Sequence, residues 1–445
     1  MTTNPATESA ERPAAQNFPA DTRLAQHFDD FRSRLPDGDG SVVRRLEAME
    51  DIQRVGVPNR RVEEWKYTDL RAFLHEAAAP ASRPDAATVD AARKSAHVLA
   101  DVPAARIDFV NGYLADAATL PEGVSVVPLS KALAEAHPAL ASLDQVEVAN
   151  GNALIDLNTA FVDDGIIVQV AAGHEIGEVL HLRFINHGNT PFATATRVLV
   201  LVEKDAALTI AETHEGHVAA QPNSLVAFVL GDSARVEHVR VNAEGAGAIA
   251  LSTLTALLGG EADFRSFNLV AGSAVSRHQL FIACQGENAR VTIGGVTMIR
   301  GEDHADTTLV LDHAVPGGES RELFKTIVDG DATGVFQGKI IVRQDAQKTD
   351  GRMMSAALLV SPGATMYNKP ELEIWADDVQ CAHGATCGEL DEDLLFYLSA
   401  RGLPPAEAEA LLLQAFIGEA IELVEHESMR EALNALAVKR LENRS

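Results

Sequence analysis

Four short segments, KDAALTI, GDSARVEHV, GEADFRSF and GENARVTI, share one signature: a polar or Gly turn, an alanine, then a polar–apolar strand. The alanines are Ala206, Ala234, Ala262 and Ala289, spaced by 28, 28 and 27 residues. Such a period over four copies means stacked coils of strand, because one coil cannot bury its apolar face alone. Similar turns at Ala332 and Ala364 come at longer intervals, which predicts insertions between coils. The competing architecture is a β-sandwich, whose turns also recur at fairly even spacing. Strand-like runs such as IDFVNG, IIVQVAA, VLHLRFIN and RVLVLVE carry this texture from about residue 105 to 390 with no convincing helix. A sandwich of that length without a domain break would be large, so the expected core is a β-helix. Its open last coil leaves an edge that must be covered or paired.

Helical patterns flank this core. After a Pro-, Ala- and Thr-rich tail over residues 1–20, expected to be disordered, the runs LAQHFDDFRSRL, VVRRLEAMEDIQRVG and AATVDAARKSAHVLA place apolar residues at helical spacing within 21–104. In the last zone, 391–445, Asp391 is a natural N-cap and Gly402 a stop, and Pro404 and Pro405 open a second helix. The apolar stripe of that helix reads Ala408, Leu411, Leu412, Ala415, Phe416, Ala420, Leu423 and Val424. Ser428 and Glu431 are spaced as a capping box for a third helix. The expected fold is therefore mainly β, a β-helix between N- and C-terminal helical domains.

Charge narrows the function. With 64 acidic against 37 basic residues the net charge is −27, so nucleic acid and anionic membranes would be repelled. Aromatics at 5% are too few for a base- or sugar-stacking surface. No secretory signal or long apolar span occurs, which predicts a cytoplasmic protein. Three cysteines make no disulfide framework and fit a reducing compartment, where thiols remain free for metal or sulfur.

GVFQGKI, residues 334–340, imitates a phosphate loop, but the spacing is one residue short and Ile340 stands where a magnesium-binding hydroxyl is needed. DHADTTLVLDH offers His304, Asp306, Asp312 and His313, either metal ligands or the polar face of a strand. Alternation sends Asp306 and Asp312 to one face with His304 and puts His313 opposite. A rival function follows from them: a β-helix enzyme acting on acidic polysaccharide, with Asp306 and Asp312 as catalytic carboxylates. Cys284, in FIACQGENA, reads as a packed small hydrophobe. In DDVQCAHGATCGELDE, Cys381, His383 and Cys387 supply soft and borderline donors suited to iron, zinc or sulfur. Their C-x-H-x₃-C spacing matches no closed four-ligand pattern, and no fourth ligand lies nearby in sequence. A site shared with another chain fits better than a private one, and two buried cysteines with a hydrogen-bonded histidine are the structural alternative.

Three longer motifs, RVEEWKYTDLR (61–71), KTIVDGDATGVFQGKIIVRQDAQKTDGRMMSAALLVS (325–361) and KPELEIWADDVQCAHGATCGELDEDLLFYLSARGL (369–403), closely resemble the SufB/SufD family of iron–sulfur cluster assembly proteins, nearer its SufD branch. The resemblance runs from about residue 20 to the end. It implies a right-handed parallel β-helix in a scaffold subunit without catalysis of its own, pairing with a SufB-like subunit through the β-helix edge. It further implies that a SufC-like ATPase docks on the C-terminal helices, where Phe396, Tyr397, Leu398, Arg401, Leu412 and Phe416 are the candidate contacts. A cysteine desulfurase would supply sulfur indirectly, and a reduced flavin is a candidate electron source. By the same resemblance His383, with Cys381, belongs to the interfacial site of the nascent cluster, whereas Cys387 falls at a position that the family pattern does not fix. No tightly bound cofactor is expected, only transient iron or cluster. The isolated chain could also pair with itself.

Overall fold

The computed structural model of the chain describes residues 18–442 except 37, 39, 118 and 146–150. Strands distribute between a ten-stranded and a nine-stranded sheet, and consecutive strands alternate between the two, so one coil is one strand from each. Each strand pairs in parallel with its counterpart in the next coil, as Arg235–Ala243 does with Asp263–Val270. Only the N-terminal end is different, with two antiparallel pairs among the described residues. Parallel pairing throughout the body excludes a sandwich and establishes a β-solenoid.

The repeat marks one corner of the coil. Asp205, Ser233, Glu261 and Asn288 are left-handed, with φ of 57°, 57°, 55° and 59°. Each is followed by an alanine no more than 1% exposed, after which a strand of the ten-stranded sheet begins. The left-handed residue turns the chain, and alanine is the side chain that fits the tight interior of the bend. Ala332 and Ala364 instead precede Thr333–Val342 and Thr365–Ile374 of the nine-stranded sheet. The long step from Ala289 to Ala332 is thus a change of corner, to the one where Ala220 and Ala248 already precede strands, whereas Ala332 and Ala364 mark the same corner and their 32-residue interval is a coil with a small insertion.

Side chains of alternate residues fill the lumen. Val226, Leu254, Leu280 and Leu309 stack in register, and so do Phe228, Ala256, Ile282 and Leu311. All are within 2% of complete burial, and alanine beside phenylalanine keeps the layer filled. Cys284 belongs to this packing, and burial pushes its thiol up to about 12. Farther along the lumen the core turns polar. There the fully buried Glu212 loses solvation, but hydrogen bonds from His214 and His238 and the charge of Arg240 more than offset this and hold its carboxyl well below the usual range.

The N-terminal helices cover the outer face of the nine-stranded sheet. Pro19–Phe31 and Ser41–Val55 pack against Ala153–Phe161, with Phe28 edge-on to Phe161 at 5.8 Å. The expected disordered tail lies outside the described residues up to 17, while Pro19 and Ala20 already form the first helical turn, proline sitting where no N–H is needed. AATVDAARKSAHVLA is helical only through Ser95, after which Glu215 accepts hydrogen bonds from the backbone of His97 and Val98. The strand zone also holds helices the sequence pattern did not show: Leu129–Ala134, Leu140–Gln145 and Ala153–Phe161.

Helices Pro405–Ile421 and Glu427–Glu442 lie on the outer face of the ten-stranded sheet, against Val241, Phe267, Leu269 and Met298. Ser428 is already inside the last helix, so the expected capping box does not form. The Glu237 carboxylate of the solenoid takes its place, accepting from Glu425 N at 2.6 Å and His426 N at 3.2 Å.

Candidate functional site at the open end of the solenoid

Cys381, His383 and Cys387 all lie on Gln380–Gly388, the edge strand of the ten-stranded sheet. It pairs with Asp350–Leu359 in the register Gly351↔Cys381, Met353↔His383 and Ala357↔Cys387. Met353 belongs to the lumen core, so the three residues share the face that caps the last coil. The glycine at 384 does not break the strand, and the shared parity expected from sequence holds. No further coil covers this face: His383 and Cys387 are exposed and Cys381 is half-buried.

The spacing decides what these donors can do. Residues two apart on a strand are separated by about 6.6 Å, so Cys381 and His383 are neighbours, whereas Cys387 stands about 13 Å from His383. One ion at 2.0–2.3 Å from its ligands cannot take all three. No cluster of three or more His, Cys, Asp or Glu able to hold a metal occurs among the described residues. What the end presents is a two-donor half-site. Burial raises the pKa of Cys381, so it rests as a thiol and needs a cation or base to become a ligand. Cys387 accepts a hydrogen bond from Asn368 Nδ2 at 3.2 Å, and Asn368 Oδ1 accepts from Ser355 at 2.7 Å. That polar support was not legible beforehand, because Asn368 reaches it from the adjoining strand Thr365–Ile374.

This adjoining strand is the edge of the nine-stranded sheet, so both sheets end unpaired at the same end of the molecule. Tyr367, Ile374 and Trp375 are exposed there, Trp375 by 65%. The RVEEWKYTDLR motif reaches this edge strand. Tyr67 stacks on Tyr367 at 4.8 Å, and Lys369 bridges to Glu63 at 2.8 Å. Three coils deeper Trp65 lies under the Arg277 guanidinium, which is 3.7 Å from its ring centre, and Arg277 donates to Glu64 O at 2.9 Å.

That clamp removes the catalytic reading of DHADTTLVLDH. His304, Asp306 and Asp312 do share the outer face, with His313 in the lumen. Asp306, however, is sealed by Arg277 and the Thr68 hydroxyl, both of which donate to it, and its side chain has no exposure. His304 bonds to the same Thr68 at 2.9 Å. Asp312 is held by Arg343 at 2.5 and 2.9 Å. Six residues of strand put the two carboxylates about 20 Å apart, against the roughly 5–9.5 Å that glycoside hydrolysis requires. The polysaccharide-enzyme expectation is therefore overturned.

The helix after the edge strand, Glu392–Ala400, is capped by Asp391 and buries none of its residues. Leu394, Phe396 and Tyr397 are 48, 75 and 53% exposed, and Arg401 lies 4.8 Å from the Tyr397 ring centre. Leu398 is partly covered. Leu412 and Phe416 sit on the next helix, Phe416 packed on the solenoid beside Lys325 at 4.6 Å. The six candidate contacts therefore divide between a bare helix and one partly engaged by its own sheet.

Residues 19–182 of the chain match the SufBD protein N-terminal region, and residues 184–416 match the SufBD core domain of SUF system FeS cluster assembly. The chain is 31% identical over 413 residues to an iron-sulfur cluster assembly SufBD family protein of Synechocystis, covering 88% of this chain and 89% of that one. It is 28% identical over 401 residues to iron-sulfur cluster assembly protein SufD of Escherichia coli K12, with 88% and 91% covered. A chloroplastic protein of Arabidopsis thaliana, ABCI7, is 25% identical over 444 residues, with 95% and 91% covered.

Proposed function

Since the chain belongs to the SufB/SufD family of iron–sulfur cluster assembly proteins, and is SufD-like within it, we propose that it is a non-catalytic scaffold subunit whose open end completes an assembly site together with a SufB-like partner. The observation that carries this reading is the half-site: Cys381 and His383 side by side on an unpaired edge strand, too few to hold iron alone. A second chain adding its own edge strand would extend both sheets and bring the missing donors to the same face. Iron and sulfide are then cargo, held between two chains and passed on. Sulfur would come from a cysteine desulfurase and electrons from a reduced flavin.

The bare helix Glu392–Ala400 and the outer side of Pro405–Ile421 are the surface we assign to a SufC-like ATPase, which supplies the nucleotide chemistry that this chain's failed phosphate loop does not. The test is His383→Ala in the complex purified anaerobically. Subunit association should persist while cluster formation from ferrous iron and sulfide falls at least about tenfold, in line with loss of one ligand. Undiminished cluster assembly by the His383→Ala complex would overturn the reading.

A further inference from the structure

Between the N-terminal helices and the outer face of the nine-stranded sheet lies a narrow cleft, enclosing about 60 Å³ and open to solvent, whose lining residues are all remote from the open end. Register lays its floor. Asp163 N donates to Ala195 O at 3.4 Å, Ala195 pairs with Asn223, and Asn223 pairs with Leu251. Ala195 is thus a low point between two polar residues whose backbones stand about 10 Å apart across two strand spacings and whose side chains rise on either side of it. Leu24, Phe31, Leu74 and Phe161 close the rest with apolar surface.

The polar lining is one-sided. Asn223 Nδ2 donates to Leu154 O at 3.0 Å, Gln221 Nε2 to Glu76 O at 2.9 Å and Asn111 Nδ2 to His187 O at 2.9 Å. The Tyr113 hydroxyl donates to Ala81 O at 3.1 Å. Thr194 has a hydroxyl that can serve either way. Acceptors are left over. Asn223 Oδ1 is buried without any partner, on a residue only 4% exposed. The carboxyl of Asp163 also lines the cleft, its pKa raised chiefly by burial against the opposing pull of a hydrogen bond from Tyr113, and its second oxygen remains available. The charges of Arg83 and Arg45 reach Asp163, while Arg83 also pairs with Asp164 at 3.4 Å and Arg45 donates to Val162 O at 2.6 Å. An apolar cleft with surplus acceptors, in a chain of net charge −27, selects a cationic donor with an apolar body.

We propose that this cleft binds a small amphipathic amine, its ammonium seated over Ala195 between Asn223 Oδ1 and Asp163 and its apolar body against Leu24, Phe31 and Leu74. Isothermal titration of the full chain with tryptamine tests this, with indole-3-propionate as the same ring carrying a carboxylate. Tryptamine binds saturably at one site, at least about tenfold more tightly than the acid, a difference in keeping with one charge-assisted hydrogen bond. Asp163→Asn, which keeps the shape, weakens tryptamine about tenfold, and Ala195→Phe, which fills the floor, abolishes its binding. Should Ala195→Phe fail to fold, Asp163→Asn alone decides. Absence of saturable binding, equal binding of both probes, or tryptamine binding unchanged in Asp163→Asn overturns the proposal. So does binding seen only after residues 1–17 are removed, which would make the chain's own N-terminal segment the occupant.

Discussion

Arg277 and Asp306 are both fully buried, and what covers them comes from more than two hundred residues upstream in Trp65 and Thr68. Their role is to anchor the N-terminal motif on the solenoid. Asp306→Ala leaves the guanidinium buried and uncompensated, and should destabilise the chain by about 3–5 kcal/mol in urea unfolding. Glu244 behaves in the opposite way. Burial raises its carboxyl to about 8 although Asn186 Nδ2 donates to it at 2.6 Å. Its folded pKa lies above the unfolded value, so the stability it contributes is complete below the ordinary glutamate range and is lost as pH rises toward about 8. Glu244→Gln should remove up to about 1.4 kcal/mol per pH unit of slope across that window, seen as a flatter plot of urea midpoint against pH. Neither burial could be read from the sequence, because alternation tells which face a side chain takes but not what another segment lays over it.

At the scale of elements, Pro405–Ile421 is the instructive case. Its start at the prolines follows from the sequence, although it ends at Ile421 while the apolar pattern continues to Val424, and the stripe read there is only partly right: Ala408, Ala420 and Val424 are buried, whereas Leu413, Ile417 and Ile421 take the places expected for Leu411, Leu412 and Phe416. The sheet buries Ala408, Leu413, Ile417, Ala420, Ile421 and Val424, while Leu411 remains 46% exposed and Leu412 and Phe416 are partly covered. A helix apolar on most sides offers several stripes of similar strength, and the flat sheet beneath it chooses among them. Ile417→Ala should therefore cost about 2–5 kcal/mol of stability, whereas Leu411→Ala should stay within about 0.5 kcal/mol. Paired Phe396→Ala and Tyr397→Ala changes on the uncovered helix should leave the melting temperature unaltered and abolish retention of a SufC-like ATPase in a pull-down. Full retention by that double variant would remove this helix from the docking surface. The repeat teaches a related lesson: alanines at 28-residue spacing reported the coil faithfully, but only the two-sheet geometry shows that a coil has two alanine corners.

For the whole molecule the decisive feature is an end where two sheets stop together with exposed Tyr367, Ile374 and Trp375 on one edge and the Cys381–His383 pair on the other. Unpaired parallel edges recruit strands, so the isolated chain should self-associate through this end. Trp375→Glu should shift it toward monomer in sedimentation velocity at micromolar concentration, and an unchanged dimer would place the contact elsewhere. Among the described residues no helix is long and apolar enough to cross a membrane.

The sequence by itself determined the local and periodic features: the coil, the helical flanks, the cap at Asp391, the packed character of Cys284 and the shared parity of Cys381, His383 and Cys387. These depend on neighbours a few residues away or on a repeat that reports itself. The tertiary structure decided which of them meet. It sealed Asp306 beneath Trp65 and Thr68, set Cys387 too far from His383 to share an ion, and opened a cleft over Ala195. The reason is that strand parity and helix period repeat along the chain, whereas contact between distant segments is set by how whole sheets and helices stack and by what is left uncovered where the stack ends.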